Sequence, residues 1–300
     1  MFDLIIIGAG PAGITASVYA ARKKMNFLVI TKDIGGQAAW SGDIENYTGY
    51  QFITGPELTA KFEEHMQKYG IELKENEEVM ELRKKDGEVW VKTNKGAYEA
   101  KTAVIASGKR SRELGVPGEV EFKNRGLTYC ATCDAPLFAE KDVAVIGGGN
   151  SALDAALQLI QIAKHIYLIN ITLNLGGDAI MREKVSESKK VSILNSTQVT
   201  AILGDRMVSG IKIRRQDKEE TLPVQGVFVE IGLIPNSDFA KELEKNELGE
   251  IKVNCRNETN IPGIFAAGDV TEVPEKQIIV AAGEGAKAAL GAFRYLTQHR

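Results

Sequence analysis

Short runs of consecutive apolar residues alternate along this chain with longer segments in which apolar positions recur every three or four residues. The first run, Leu4-Ile5-Ile6-Ile7, is apolar on both faces and reads as a buried parallel strand. Helical spacing follows over Ile14 to Lys24, and Phe27-Leu28-Val29-Ile30 forms a second run, so residues 4 to 31 predict a strand-helix-strand unit. The pattern returns over residues 143 to 169, with Val143-Ala144-Val145-Ile146, a helix over Ala152 to Ala163, and Ile166-Tyr167-Leu168-Ile169. Between the two, Val79 to Val91 alternates like a hairpin around a turn at Asp86-Gly87, and Thr102-Ala103-Val104-Ile105 leads into Gly108. Further strands are expected near residues 191 to 231. The tail supplies Ile264-Phe265-Ala266-Ala267 and a final helix, roughly Ile278 to Thr297.

Each repeated unit carries a glycine loop in the same place. Gly8-Ala9-Gly10-Pro11-Ala12-Gly13 follows the first strand, and Gly147-Gly148-Gly149-Asn150-Ser151-Ala152 follows the equivalent strand of the second. Glycines at a strand end let backbone amides approach a pyrophosphate, and the helix that begins there turns its positive end toward that charge. The expected fold is therefore α/β, with two Rossmann-like dinucleotide-binding domains of the three-layer ββα type. Gly115-Val116-Pro117-Gly118 and Gly232-Leu233-Ile234-Pro235-Asn236 read as crossings between them. If the tail rejoins the first unit, the second is inserted into it: residues 1–113 and 239–300 form one discontinuous dinucleotide-binding domain, and residues 114–238 form the other.

Composition narrows the function classes without choosing among them. A length of 300 residues suits roughly two domains, and 44% apolar with 26% charged residues allows a sizeable core. A formal charge of -3 gives no reason to expect nucleic acid or an anionic membrane as partner. The N-terminus enters a strand without a basic leader, and no apolar stretch reaches the roughly 18 residues of a membrane span. A cytoplasmic location is expected on those grounds.

Between the two loops lies Tyr129-Cys130-Ala131-Thr132-Cys133-Asp134. A closed zinc site needs four ligands, and beyond this pair only Cys255, His65, His165 and His299 remain. In a reducing compartment a lone Cys-x-x-Cys is more often catalytic than a structural disulfide. Two thiols at this spacing can cycle as a disulfide, and the sulfur that leaves needs a nearby proton. Asp134 is the adjacent acid; capping a helix before Ala135-Pro136 is its alternative use.

The order of motifs resembles the low-molecular-weight thioredoxin reductase family over essentially the whole chain. It comprises both glycine loops, Gly35-Gly36-Gln37, Ile44-Glu45-Asn46-Tyr47, Cys-Ala-Thr-Cys-Asp, Ala266-Ala267-Gly268-Asp269 and Lys276-Gln277. Gly232 to Glu284 is especially similar to the flavoprotein subunit of alkyl hydroperoxide reductases. That relative carries an extra N-terminal thioredoxin-like portion, so a separate dithiol protein is the expected partner here. The resemblance implies FAD held by Gly8, Gly10, Pro11, Ala12 and Gly13, with Asp269 after Gly268 at the ribityl-phosphate region. Gly36, Gln37, Asn46, Lys276 and Gln277 would lie toward the flavin ring. Trp40 would cover the flavin or serve as a plain core aromatic. Cys133 is implied as the flavin-proximal thiol, Cys130 as the interchange thiol and Asp134 as the proton donor. A homodimer is implied too, as is rotation of one domain against the other about hinges near Leu114 to Pro117 and Gly232 to Asn236.

Two departures from the pattern matter. The acid that many FAD folds place after the second strand is replaced by Thr31-Lys32, with Asp33 slightly beyond, as the resembled family often allows. After the second unit's second strand, where NADPH-dependent members carry His-Arg-Arg, this chain has Asn170-Ile171-Thr172 and no arginine before Arg182. A 2'-phosphate calls for guanidinium partners. The expected nicotinamide site therefore comprises Gly147, Gly149, Asn150, Ser151, Ala152 and Asn170, with NADH favoured over NADPH. Reduced ferredoxin or a deazaflavin is the alternative donor. The expected activity is reduction of a thioredoxin- or glutaredoxin-like disulfide; a flavin NADH oxidase that ignores the dithiol and a non-catalytic flavin redox sensor stand as alternatives.

Overall fold

The computed structural model describes residues 1–41, 43–216 and 218–299, and the backbone alone of Trp40 and Asp43. The two readings of the Trp40 side chain lie outside what is described. The chain divides into two compact units, Met1–Arg110 with Ile234–Arg300, and Ser111–Leu233. The structure thus draws its boundaries a few residues earlier than the sequence suggested. At the second crossing the reason is hydrogen bonding: the Asn236 amide donates to the Gly108 carbonyl at 2.9 Å, and the Ser237 hydroxyl to the Gly249 carbonyl at 2.7 Å.

In the first unit, β1 (Phe2–Ala9) leads through the glycine loop into α1 (Pro11–Arg22) and returns as β2 (Phe27–Ile34), parallel to β1. The helix starts three residues before the first apolar position of its periodic stretch. Pro11 at its first position lacks only an amide that no helix start could satisfy, and its ring fixes a helical φ. On the other side of β1 runs β3 (Ala97–Ile105), also parallel. The first half of β3 pairs antiparallel with Glu88–Thr93, which continues the hairpin from Val79–Lys85.

In the second unit a short helical turn, Glu119–Phe122, precedes β4 (Leu127–Thr128), which is followed by the one-turn helix α2 (Ala131–Asp134). After these come β5 (Asp142–Ile146), α3 (Asn150–Ile160) and β6 (His165–Ile169), the repeated strand-helix-strand unit. With β7 (Gly226–Val229) and Val191–Leu194 they form one parallel sheet in the order β4, β7, β5, β6, Val191–Leu194. Gln198–Gly204, Val208–Arg215 and Lys218–Leu222 make a separate antiparallel sheet. Back in the first unit, β8 (Ile264–Ala266) pairs parallel with the second half of β3, and α4 (Ile278–Gln298) closes the chain. Parallel strands, an antiparallel hairpin branch and helices make each unit Rossmann-like, as expected.

The core of the first unit packs Leu4, Ile6, Val29 and Val104 of the sheet against Ile14, Ala16 and Ala20 of α1 and Ala288, Ala289 and Ala292 of α4. Small residues dominate because the two helices nearly touch: a Cβ on Gly285 of α4 would stand 2.0 Å from the Ala12 carbonyl oxygen. Among the described residues no helix is long and apolar enough to cross a membrane.

Gly285 and Gly283 share one helix and separate propensity from packing. Gly283→Ala, which would meet nothing within 4 Å, should stabilise the protein by up to about 1 kcal/mol through helix propensity. Gly285→Ala gains the same preference but overpacks, at a cost of about 1–3 kcal/mol, and should lower the urea midpoint. Equal shifts in the two urea titrations would refute this account of the contact between α1 and α4.

Candidate functional site

The first unit gathers the residues that the sequence singled out from distant parts of the chain. Gly8 has φ +102, and a Cβ there would lie 2.3 Å from the Ala106 carbonyl oxygen. A Cβ on Gly13 would lie 1.8 Å from the Gly8 carbonyl oxygen, so this glycine lets α1 sit on the loop. Gly10 is different. Its Cβ position meets only the Gly35 carbonyl oxygen, at 3.9 Å, and Gly36 lies against Gly10 itself. The protein leaves this cradle open, with the start of α1 beneath it. The loop is fixed from below by the Ala9 amide, which donates to the Thr31 hydroxyl at 3.1 Å, and by the Gly35 amide, which donates to the Ala9 carbonyl at 2.7 Å. Thr31, standing where an acid was looked for, therefore supports the loop.

Gly268 completes the cradle. Its Cβ would stand 3.0 Å from that of Ala12, and its amide donates to Glu284 at 3.0 Å, which brings Asp269 to the start of α1. Burial raises the Asp269 pKa, against the pull of Lys276 and Lys109. Gln37 donates to the Lys109 carbonyl at 2.5 Å, and Asn46 donates to Gln277 at 3.1 Å.

Sequence reasoning missed Lys109 and Glu250. Lys109 is 7% exposed, and its ammonium pairs with the buried Glu250 carboxylate, which also takes Lys276 at 3.2 Å and the Asn246 amide nitrogen at 2.5 Å. Burial pushes the Glu250 carboxyl up, but the hydrogen bonds from Lys109 and Asn246 and the charges of both lysines outweigh it and hold the group below its usual range. Burial and the neighbouring Lys109 pull Lys276 down. No periodicity or motif marks Lys109; a charged residue directly after the apolar strand and Gly108 is the single hint in the sequence.

The second unit repeats the loop geometry with one substitution. Gly147 has φ +143, and a Cβ on Gly149 would meet nothing within 4 Å. Asn150 and Ser151 lie exposed at the start of α3, while Ala152 is buried in the place that Gly13 takes in the first loop. Asn170 is 3% exposed and fully engaged within its own surroundings. Its amide nitrogen donates to the carbonyls of Thr172 (3.2 Å) and Asn174 (2.9 Å) and to Asn195 (3.0 Å), and its oxygen accepts from the Thr172 hydroxyl at 3.0 Å. A Cβ on Gly148 would lie 2.2 Å from that oxygen. Asn170 thus braces the turn beneath the loop. Asn150 accepts the Asp178 amide at 2.8 Å and ties the same turn to α3.

Cys130 and Cys133 form a disulfide, with 5.4 Å between their Cα atoms, and both are partly exposed. Cys130 is itself the cap of α2, its sulfur accepting the Cys133 amide at 3.2 Å. The Asp134 side chain makes no cap hydrogen bond to the turn Ala135–Phe138 that follows it. It is buried and takes the hydroxyl of Thr128, which in turn accepts the Cys130 amide at 3.2 Å. His165 begins β6, at the opposite end of the sheet from this segment, and Cys255 is exposed in the other unit.

Two glycine loops at strand ends and a partly exposed disulfide are the arrangement of a dinucleotide-dependent oxidoreductase. Residues 2–285 match the family described as pyridine nucleotide-disulphide oxidoreductase, and the chain belongs to it. FAD is the cofactor of this family, used with a nicotinamide nucleotide. The chain is 42% identical to the F component of alkyl hydroperoxide reductase from Pseudomonas aeruginosa, over 98% of its own length and 58% of that protein. It is 40% identical to a protein named NADH dehydrogenase from Bacillus subtilis, over 99% of its length and 59% of that protein. It therefore spans a little under three fifths of these relatives. The crystal structure of thioredoxin reductase from Streptococcus pyogenes superposes with a TM-score of 0.94 at 37% identity, covering 99% of both chains.

Gly10→Val should fold, because its Cβ position is open, yet purify with little flavin, read as the ratio of absorbance at the flavin band to that of the protein. Full flavin content would show that the cradle is not the pyrophosphate site. Asn170→Glu would bury a carboxylate among carbonyl oxygens, at a cost of about 3 kcal/mol or more. Its unfolding midpoint should fall with no gain in NADH use. Unchanged stability with faster reduction by NADH would restore the ribose contact.

Proposed function

We propose that this chain is a flavin-dependent disulfide reductase that passes electrons from a nicotinamide donor through FAD and the Cys130–Cys133 pair to a thioredoxin- or glutaredoxin-like protein. The observation that carries the reading is the partly exposed Cys130–Cys133 disulfide at the C-terminal edge of a parallel sheet, beside a dinucleotide loop. Ligands of open α/β sheets bind at that edge. The open position at Gly10, with Gly36 and Gly268 around it and Asp269 at the start of α1, suits a pyrophosphate and a ribityl chain. Bound there, FAD supplies the relay between the donor and the disulfide.

The remaining chemistry belongs to the chain. The Cys130 thiolate attacks one sulfur of the partner's disulfide, a mixed disulfide forms, and the partner's other sulfur leaves as a thiolate. Cys133 then attacks the Cys130 sulfur, which expels the second partner thiolate and restores the Cys130–Cys133 bond. Asp134, held by Thr128, is the acid placed to manage a proton at the departing sulfur. NADH is the favoured donor, because residues 170–181 contain no arginine to receive a 2'-phosphate. A homodimer in the cytoplasm completes the reading. A second reading, flavin-dependent NADH oxidation that bypasses the thiols, is favoured by the name of the Bacillus subtilis relative.

Cys130→Ser should abolish reduction of a thioredoxin disulfide while NADH still bleaches the flavin under anaerobic conditions. Cys133→Ser should accumulate a mixed disulfide through Cys130 with an activated partner. Thioredoxin reduction that survives Cys130→Ser would transfer the assignment to the second reading. Trapping through Cys133 would reverse the roles of the two sulfurs. In stopped-flow reduction NADPH should be no faster than NADH, and a clear preference for NADPH would refute the donor argument.

A further inference from the structure

At the C-terminal edge of the second unit's parallel sheet, one ionisable side chain has no part in the mechanism above. Glu230 follows β7 directly, and strand register brings it to the dithiol. β4 pairs with β7 through Leu127 with Val227 and Thr128 with Phe228, so two residues on, Cys130 leaves one strand where Glu230 leaves the other. On its other side β5 pairs Ile146 with Val229, which sets Gly147 alongside Glu230. A Cβ on Gly147 would stand 2.2 Å from the Glu230 carbonyl oxygen. The Glu230 amide donates to the Ile146 carbonyl at 2.8 Å, and its carboxylate accepts the Ala131 amide, the first of α2, at 3.4 Å. A carboxyl group is thereby fixed between the second glycine loop and the helix that carries both cysteines.

We propose that Glu230 is a positioning and charge-regulating residue for the Cys130–Cys133 pair: ionised, it holds the first amide of α2 and makes the reduced thiols harder to ionise, and protonated, it lifts that penalty. The inference rests on reading the pair as redox-active thiols, but it concerns their ionisation alone. Burial raises the Glu230 carboxyl to about 7, opposed by the Ala131 amide and assisted by the charge of Asp154 on α3. The other acid of the segment, Asp134, is turned to the Thr128 hydroxyl. Glu230 thus changes charge across the neutral range, where an ordinary carboxylate is already ionised. The coupling is reciprocal: a thiolate makes the carboxyl hold its proton more tightly, as the carboxylate does for the thiol.

The test uses the full chain, reduced with dithiothreitol, freed of it, and alkylated with iodoacetamide from about pH 5.5 to about pH 9.5. Each alkylation forms one carbon–sulfur bond, expels iodide and gives the thiol proton to the buffer. Peptide mapping separates Cys130 and Cys133 from the exposed Cys255. In the unmodified protein the logarithm of the rate should bend near neutral pH as Glu230 ionises. Glu230→Gln should lose the bend and react on the order of fivefold faster at about pH 8, while Glu230→Asp keeps a bend. Asp154→Asn should move the bend to lower pH, which supplies the test if Glu230→Gln fails to fold. Superimposable profiles for the unmodified protein and Glu230→Gln overturn the proposal, as does a bend that Asp154→Asn leaves in place. The assay reads neither flavin reduction nor a partner protein, so failure with thioredoxin would remove the proposed function and leave this inference standing, and the reverse holds equally.

Discussion

A carbonyl oxygen about 2 Å from where a Cβ would stand leaves that position to glycine, and the first unit meets this condition three times around one loop. Gly8 faces the Ala106 oxygen at 2.3 Å, Gly13 faces the Gly8 oxygen at 1.8 Å, and Gly285 faces the Ala12 oxygen at 2.0 Å. Together they bring β1, β3, α1 and α4 to backbone contact. Every other feature of the first site follows from that closeness. It aims the amides at the start of α1 into the space above Gly10, and it lets Gly268 reach Ala12, which carries Asp269 to the same place.

The second unit solves the same problem with a looser fit. Ala152 stands where Gly13 does, and Gly148 is demanded by the Asn170 side chain lying beneath it. A loop braced by an asparagine has its polar capacity turned inward. From its type alone an amide after a strand looks available to a ligand; the five hydrogen bonds its side chain makes to Thr172, Asn174 and Asn195 are visible only in space.

What the sequence made legible was whatever repeats or alternates. The buried strands at residues 4–7 and 143–146 and the closing helix lie within the observed elements, and the helices after both glycine loops overlap theirs but end two and three residues sooner than expected, because an apolar run or a helical period reports burial directly and a helix end does not. The first helix began earlier than its apolar period because Pro11, Ala12 and Gly13 are helical without showing that period. The spacing of Cys130 and Cys133 made the pair that forms the disulfide legible. Lys109, Glu250 and Glu230 were not, since their significance comes from partners at sequence separations of 141 and 99 residues that no local pattern encodes. Buried charge is read from pairing, and pairing is a property of the fold.

The strand that presents the dithiol is very short. β4 is joined to β7 by two residue pairs, whereas β5, which presents the neighbouring glycine loop, is joined to β6 by five. Local opening draws on the hydrogen bonds it must break, and the sulfur-bearing segment has fewer strand bonds to break than the glycine loop beside it. The two halves of the edge therefore differ in compliance, and on the function proposed above the stiff lip is the one that meets a nucleotide's charge with fixed dipoles and the soft one is where a sulfur atom changes bonding partners.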